Sequence, residues 1–95
     1  MNMIFRIFRI SGHSMHPTLK PGGRVIVSSI PYIFSKPKVG DVIAFRYTNK
    51  MLIKRAVRIE EEKYYLRGDN KSDTLKTEPI LKNEILGKMI LILHT

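Results

Sequence analysis

Between Ser11 and Pro21 the chain reads Ser-Gly-His-Ser-Met-His-Pro-Thr-Leu-Lys-Pro, which sets one hydroxyl, Ser14, in a turn bounded by glycine and proline. Gly12 lets the backbone bend sharply and leaves room for a substrate, and Pro17 stiffens the exit. A serine hydroxyl is a weak nucleophile until a neighbouring base takes its proton. Backbone N–H groups in such a turn can meet a developing oxyanion, usually the strongest single contribution to acyl-transfer catalysis. Forty residues on, Ile53-Lys-Arg-Ala-Val57 sets Lys54 inside an apolar run. If Met51 to Ile59 is a strand, Leu52, Lys54 and Ala56 share one face, and Ile53, Val57 and Ile59 line the other with Arg55 among them. A strand apolar on both faces is expected to be buried. Burial disfavours the charged form of a lysine, and a neutral amine can serve as a general base. Each residue alone also has a plainer reading: a loop serine, and a lysine whose stem packs while its head reaches water.

A third cluster, Arg67-Gly-Asp-Asn-Lys-Ser-Asp-Thr74, begins with a turn that side-chain hydrogen bonds can brace. Its Ser72, Asp73 and Thr74 offer short oxygen groups able to hold a lysine amine; a solvent-facing Asx-rich turn is the alternative. His13 and His16 flank Ser14, but a Ser-His triad also needs a carboxylate partner. A metal site needs three or four ligands, and the remaining histidine, His94, lies at the far end. No metal or other cofactor is implied. The chain has no cysteine, which excludes a disulfide framework, a thiolate zinc site and a cysteine nucleophile.

The elements that must position these groups are mostly strands. Arg24 to Ile30, Asp41 to Tyr47, Met51 to Ile59, Tyr64 to Arg67 and Ile85 to Leu93 are β-branched or apolar runs divided by short polar turns. Glu60-Glu-Glu-Lys63 reads as a hairpin connection, and Gly87 interrupts the last run early. Pro31 to Lys38 reads as a loop, Leu75 to Asn83 has room for one helical turn, and Ile4 to Ile10 fits neither period cleanly because its arginines fall three apart. The pattern predicts an all-β fold, a barrel or a sandwich-like sheet, and 95 residues predict a single domain, 1–95. The net charge of +9 is scattered, which argues against a dedicated nucleic-acid arm. No run approaches the ~20 apolar residues of a membrane span. Met1 to Ile10 is too short to span and has no cleavage pattern of a signal peptide, though it has the character to lie on a membrane surface or against an anchored partner. The default location is soluble and cytoplasmic, with membrane association left open.

Four segments, in this order, resemble the type I signal peptidase family of serine proteases: Gly12-His-Ser-Met-His-Pro-Thr-Leu19, Pro37-Lys-Val-Gly-Asp-Val-Ile-Ala-Phe45, Ile53-Lys-Arg-Ala-Val57 and Arg67-Gly-Asp-Asn70. The resemblance covers roughly Phe8 to Asp73. It implies the small, twisted, barrel-like antiparallel sheet of the family's catalytic core, a β fold similar to that of LexA-type repressors. It also implies that Ser14 is the acyl-forming nucleophile, with its own amide in the oxyanion hole, and that Lys54 is the general base. Gly12 stands where many members have an assisting serine, so only its backbone is available. Met15 is expected to pack beside the site. Phe8 and Ile10 stand where the family places apolar residues near shallow pockets for small substrate side chains. That makes the preceding segment a strand, ending near Ser11, which pairs with an extended precursor and selects Ala-X-Ala-like sequences.

Departures are visible. Gly22-Gly23 replaces a common Gly-Asp, and the last motif is compressed. Asp73 best matches the acidic position there, while Ser72 and Thr74 both remain candidates for orienting Lys54. The resemblance is to a minimal catalytic core, without membrane anchor or second lobe. Small relatives proposed to mature one protein, such as a nickel-type superoxide dismutase precursor, make a dedicated substrate an option. The expected partner is a precursor protein or peptide, with a membrane surface or membrane-anchored partner as a further option and no nucleic acid. Two other readings remain. One is a LexA-like self-cleaving protein, which wants an N-terminal DNA-binding domain that a serine so near the start leaves no room for. The other is a catalytically idle basic β-barrel that binds a membrane partner or nucleic acid.

Overall fold

The computed structural model describes residues 4–73 and 77–94. Its strands are β1 (Phe5–Arg9), β2 (Arg24–Ser28), β3 (Val42–Tyr47), β4 (Lys50–Glu60), β5 (Lys63–Arg67) and β6 (Ile85–His94). They form one antiparallel sheet in the order β1-β2-β6-β3-β4-β5. The all-β expectation holds, but the sheet is not closed into a barrel. Its terminal strands, β1 and β5, are not neighbours. The ambiguous N-terminal segment is a strand, in register with β2 from Phe5↔Ser28 to Arg9↔Arg24. Its arginine period does not prevent this, because Arg6 lays its guanidinium over the Phe8 ring at 5.2 Å. A cation on an aromatic face is favourable even near solvent.

Local chemistry sets the turns. Two-residue connections join β3 to β4 and β4 to β5, with positive φ at Thr48 and Asn49 and at Glu61 and Glu62. That is the geometry whose twist matches paired strands. Pro31 to Phe34 is a short helix, α1, where the sequence reads as a loop. Proline suits the first helical turn, since its fixed φ is already helical and its missing N–H is not needed there. The Tyr32 hydroxyl donates to Asp41 Oδ2 at 2.7 Å and anchors this turn to the start of β3. The helical turn expected within Leu75 to Asn83 is a 3₁₀ turn at Lys82–Glu84; Leu75 lies outside the described residues.

Alternation on β3 divides the core. Val42 and Ala44 join Ile10, Met15, Leu19, Val25 and Val27 on one face. Ile43 and Phe45 join Ala56, Tyr64, Leu66 and Ile80 on the other. A central strand buried on both faces reads as a continuous apolar run, as Val-Ile-Ala-Phe does here. Gly87 on β6 lies against β2 so closely that an added Cβ would come within 2.6 Å of the Ser28 carbonyl oxygen. The apparent break in the last strand is therefore a packing requirement.

The strand carrying Lys54 is less enclosed than its composition suggests. Lys54 and Ala56 are buried, whereas Met51 and Val57 are exposed. β3 pairs with Lys50 to Arg55 of β4, but β5 pairs only from Arg55 to Glu60, with an irregularity between Ala56 and Arg58. Lys50 to Lys54 thus keep one hydrogen-bonding edge unpaired within the sheet. The outer edge of β1 is likewise unpaired, since that strand lies at the end of the sheet.

Candidate active site

The turn after β1 is pinned at both ends. The Ile10 N–H donates to Gly23 O and the Gly22 N–H donates to Ile10 O, both at 2.8 Å. Gly12 takes φ +79°, a conformation side-chain-bearing residues rarely adopt. The His16 N–H then donates to His13 O at 3.1 Å, closing a tight turn around Ser14 and Met15. Met15 and Leu19 are buried beneath it. Ser14 is half-buried at the top. Among the described residues, neither its hydroxyl nor its amide N–H meets a protein acceptor.

The Gly68-Asp-Asn70 segment after β5 clamps this turn. The Asn70 N–H donates to Ser14 O at 2.9 Å, and the Asn70 side-chain amide donates to His13 O at 2.8 Å. The Asp69 N–H donates to the Met15 sulfur at 3.4 Å. Gly68 approaches so closely that a Cβ there would overlap the Ser14 carbonyl oxygen. Asp69 itself is held by Thr18 Oγ1 at 2.7 Å and by a two-pronged contact from Arg55, Nε at 2.9 Å and Nη2 at 2.8 Å. The remaining Arg55 nitrogen, Nη1, donates to Gly40 O at 2.7 Å. The Arg55 hydrogen bonds hold the Asp69 carboxyl below its ordinary pKa; Thr18 adds to this and burial opposes it. Asp69 in turn raises the pKa of Arg55. The first, third and fourth segments noted in the sequence are thus knotted together around the Ser14 backbone. Neither Arg55 nor Asp69 stands out in the sequence, although both sit inside those segments.

Ser14 and Lys54 line one groove of about 550 Å³, walled by Phe8, Ile10 and Met15 on one side and Met51, Leu52 and Ile53 on the other. Lys54 pairs with Ile43 across the ladder and is only 7% exposed. No hydrogen bond joins it to Ser14 among the described residues. From the opening segment, the structure brings Phe8, Ile10, Ser14 and Met15 to this groove and leaves His13 and His16 exposed outside it. Ser72 is exposed, and its N–H caps the Asn70 side-chain oxygen at 2.9 Å. The Asp73 N–H donates to Asn70 O at 3.0 Å. Neither Ser72 nor Asp73 lines the groove, and Thr74 lies outside the described residues. No group of three or more His, Asp or Glu that could hold a metal is gathered among the described residues.

The β4 wall of the groove is not legible in the sequence, because strand composition does not say which edge stays open. That depends on where β5 stops pairing.

A sequence profile of the family described as signal peptidase, peptidase S26, matches residues 1–60. The chain belongs to this family. Among curated relatives, thylakoidal processing peptidase 1, chloroplastic, of Arabidopsis thaliana is 43% identical over 37 residues. That stretch is 39% of this chain and 11% of the relative, so the match spans a small part of the longer protein. The matched residues include the first three of the four segments, in their order. No helix among the described residues is long and apolar enough to cross a membrane.

Proposed function

We propose that the protein is a serine endopeptidase that removes leader segments from precursor proteins, with Ser14 as nucleophile and Lys54 as general base. The observation that carries this reading is the shared groove: one serine on a braced turn and one buried lysine line a channel with an unpaired strand edge on each side. An extended peptide laid there gains main-chain hydrogen bonds from the β1 and β4 edges. Phe8 and Ile10 narrow the channel on the β1 side and favour small side chains before the cut.

In the acylation step Lys54 Nζ takes the Ser14 hydroxyl proton as Oγ bonds to the scissile carbonyl carbon. The carbonyl electrons move onto oxygen, and the unengaged Ser14 N–H faces that oxyanion. One donor of this kind contributes on the order of 10²–10³-fold in rate. Collapse breaks the C–N bond, and Lys54 returns its proton to the leaving amine. Water, deprotonated by Lys54, then releases the acyl group from Oγ. Ser72 and Asp73 donate backbone N–H groups to Asn70, and their part in this reading is to brace the loop that holds the Ser14 turn.

The meeting place with substrate is a membrane surface. Ile7, Ile26 and Leu91 lie side by side across β1, β2 and β6, opposite the face bearing Val25 and Val27. Phe5 and Ile7 are 61% and 59% exposed, and Arg9 and Arg24 pair at one end of the patch. Apolar groups edged with cations suit an anionic interface. Incubation with precursor peptides carrying Ala-X-Ala, cut sites being read by mass spectrometry, tests the protease reading. Cleavage after the second Ala is expected, and loss of cleavage when either Ala becomes Leu. Cleavage indifferent to those residues would contradict the pocket assignment.

A further inference from the structure

The groove carries charge that the acyl-transfer chemistry does not use. Besides Lys54, its lining includes Arg9 and Lys50 and no carboxylate. Arg6 stands over the lining residue Phe8. The ion pairs among the described residues use Asp41, Glu60 and Asp69 with other cations, so Arg6, Arg9 and Lys50 have no acidic partner there.

Strand directions fix where these charges lie. Antiparallel pairings lead from β1 through β2, β6 and β3 to β4. Four reversals leave β1 and β4 running the same way, each toward the Ser14 and Lys54 end. Lys50 opens β4 and Arg6 lies near the start of β1, so both mark the end remote from Ser14. Lys50, Leu52 and Lys54 share a face. At a strand rise of 3.2–3.4 Å per residue, Lys50 lies about 13 Å from Lys54. An extended peptide covers the same span in four residues.

We propose that this end of the groove selects an acidic side chain about four residues before the cut, held by Lys50. The inference rests on the reading that the residues before the cut occupy this groove. It adds a charged determinant to the small-residue pockets, and makes the substrate class a precursor whose leader carries Asp or Glu at that position. Arg9 lines the groove too, and the pairings Arg9↔Arg24, Ser28↔Lys88, Ile43↔Lys88 and Ile43↔Lys54 put it on the same sheet face as Lys54 and Lys50.

Binding to the Ser14→Ala protein separates this inference from the protease reading, because it needs no turnover. Two labelled Ala-X-Ala peptides, with Glu or Gln four residues before the cut, are compared by fluorescence anisotropy. The Glu peptide should bind about two- to fivefold tighter, the range of a solvent-accessible ion pair, with the advantage shrinking as salt rises. Adding Lys50→Gln should erase the difference, and Lys50→Glu should reverse it in favour of a Lys peptide. Lys63→Gln on β5, which removes the same charge elsewhere, should leave it intact. Equal binding of the peptides, no binding of either, or an equal effect of Lys63→Gln would overturn the proposal. Charge-selective binding without cleavage by the wild-type protein would instead refute the protease reading alone.

Discussion

A methyl group at Gly68 tests whether the loop after β5 sets the position of Ser14, the proposed nucleophile. In Gly68→Ala the new Cβ would overlap the Ser14 carbonyl oxygen and lie 3.1 Å from Ser14 C and 3.2 Å from Ser14 Cβ. Ordinary contacts begin near 3.4 Å. The colliding oxygen belongs to backbone, so no rotamer change relieves it. Asp69, next in the chain, is fixed by Arg55 and Thr18, which leaves the Ser14 turn as the part that gives. A displacement of roughly 1 Å at a reacting group costs about 10²-fold in rate. The expected outcome is a fall of that size in kcat for a precursor peptide, with little change in KM because the groove walls on β1 and β4 are untouched. The strain should also lower stability by about 1–3 kcal/mol, read from urea unfolding at a temperature where the variant remains folded. A folded Gly68→Ala protein with unaltered kcat would refute the claim that this contact positions Ser14.

Asp69→Asn should destabilise the fold by about 2 kcal/mol at neutral pH, since it loses charge-assisted hydrogen bonds that are partly screened by solvent. The pH dependence has a definite sign. A carboxyl whose folded pKa is lowered contributes fully above its unfolded value of about 3.9 and loses that contribution as pH falls through the folded value. The stability gap between wild type and Asp69→Asn, measured by urea unfolding, should therefore be constant from pH 7 to 5 and narrow below about pH 4. Glu62→Gly should stabilise the β4–β5 hairpin by roughly 1 kcal/mol, because Glu62 holds a left-handed conformation that costs an L-residue about that much; an unchanged unfolding midpoint would count against strain at that turn. Phe45→Ala should cost about 3–5 kcal/mol in the same assay, as Phe45 is completely buried at the centre of β3.

Much of the sheet could be read in advance because its strands carry two-residue periodicity or continuous apolar runs bounded by turn residues. Val42 to Phe45 is the clearest case, and the structure buries all four residues. Ser14 and Lys54, forty residues apart in the chain, both line one groove. Other features escaped because they depend on distant partners. Nothing near Pro31 distinguishes a loop from a short helix until Tyr32 finds Asp41. The open edge of β4 from Lys50 to Lys54 follows from β5 beginning its pairing at Arg55, which residue composition does not encode. Arg55 and Asp69 look like ordinary members of a strand and a turn, and their joint hold on the Ser14 turn emerges only once the fold brings β4 and the β5 loop together beside it. Conversely, His13 and His16 flank the serine in sequence, yet the turn points both to solvent.

The central claim is that Ser14 and Lys54 act as one catalytic unit across the groove, and a kinetic double-variant cycle tests it most directly. Cleavage of an Ala-X-Ala precursor peptide is measured for wild type, Ser14→Ala, Lys54→Ala and the double variant, each verified as folded. Residues that act as a unit are strongly non-additive, so all three variants should fall to the same residual rate. Substantial cleavage by either single variant, or a double variant whose loss is the product of the single losses, would contradict the dyad.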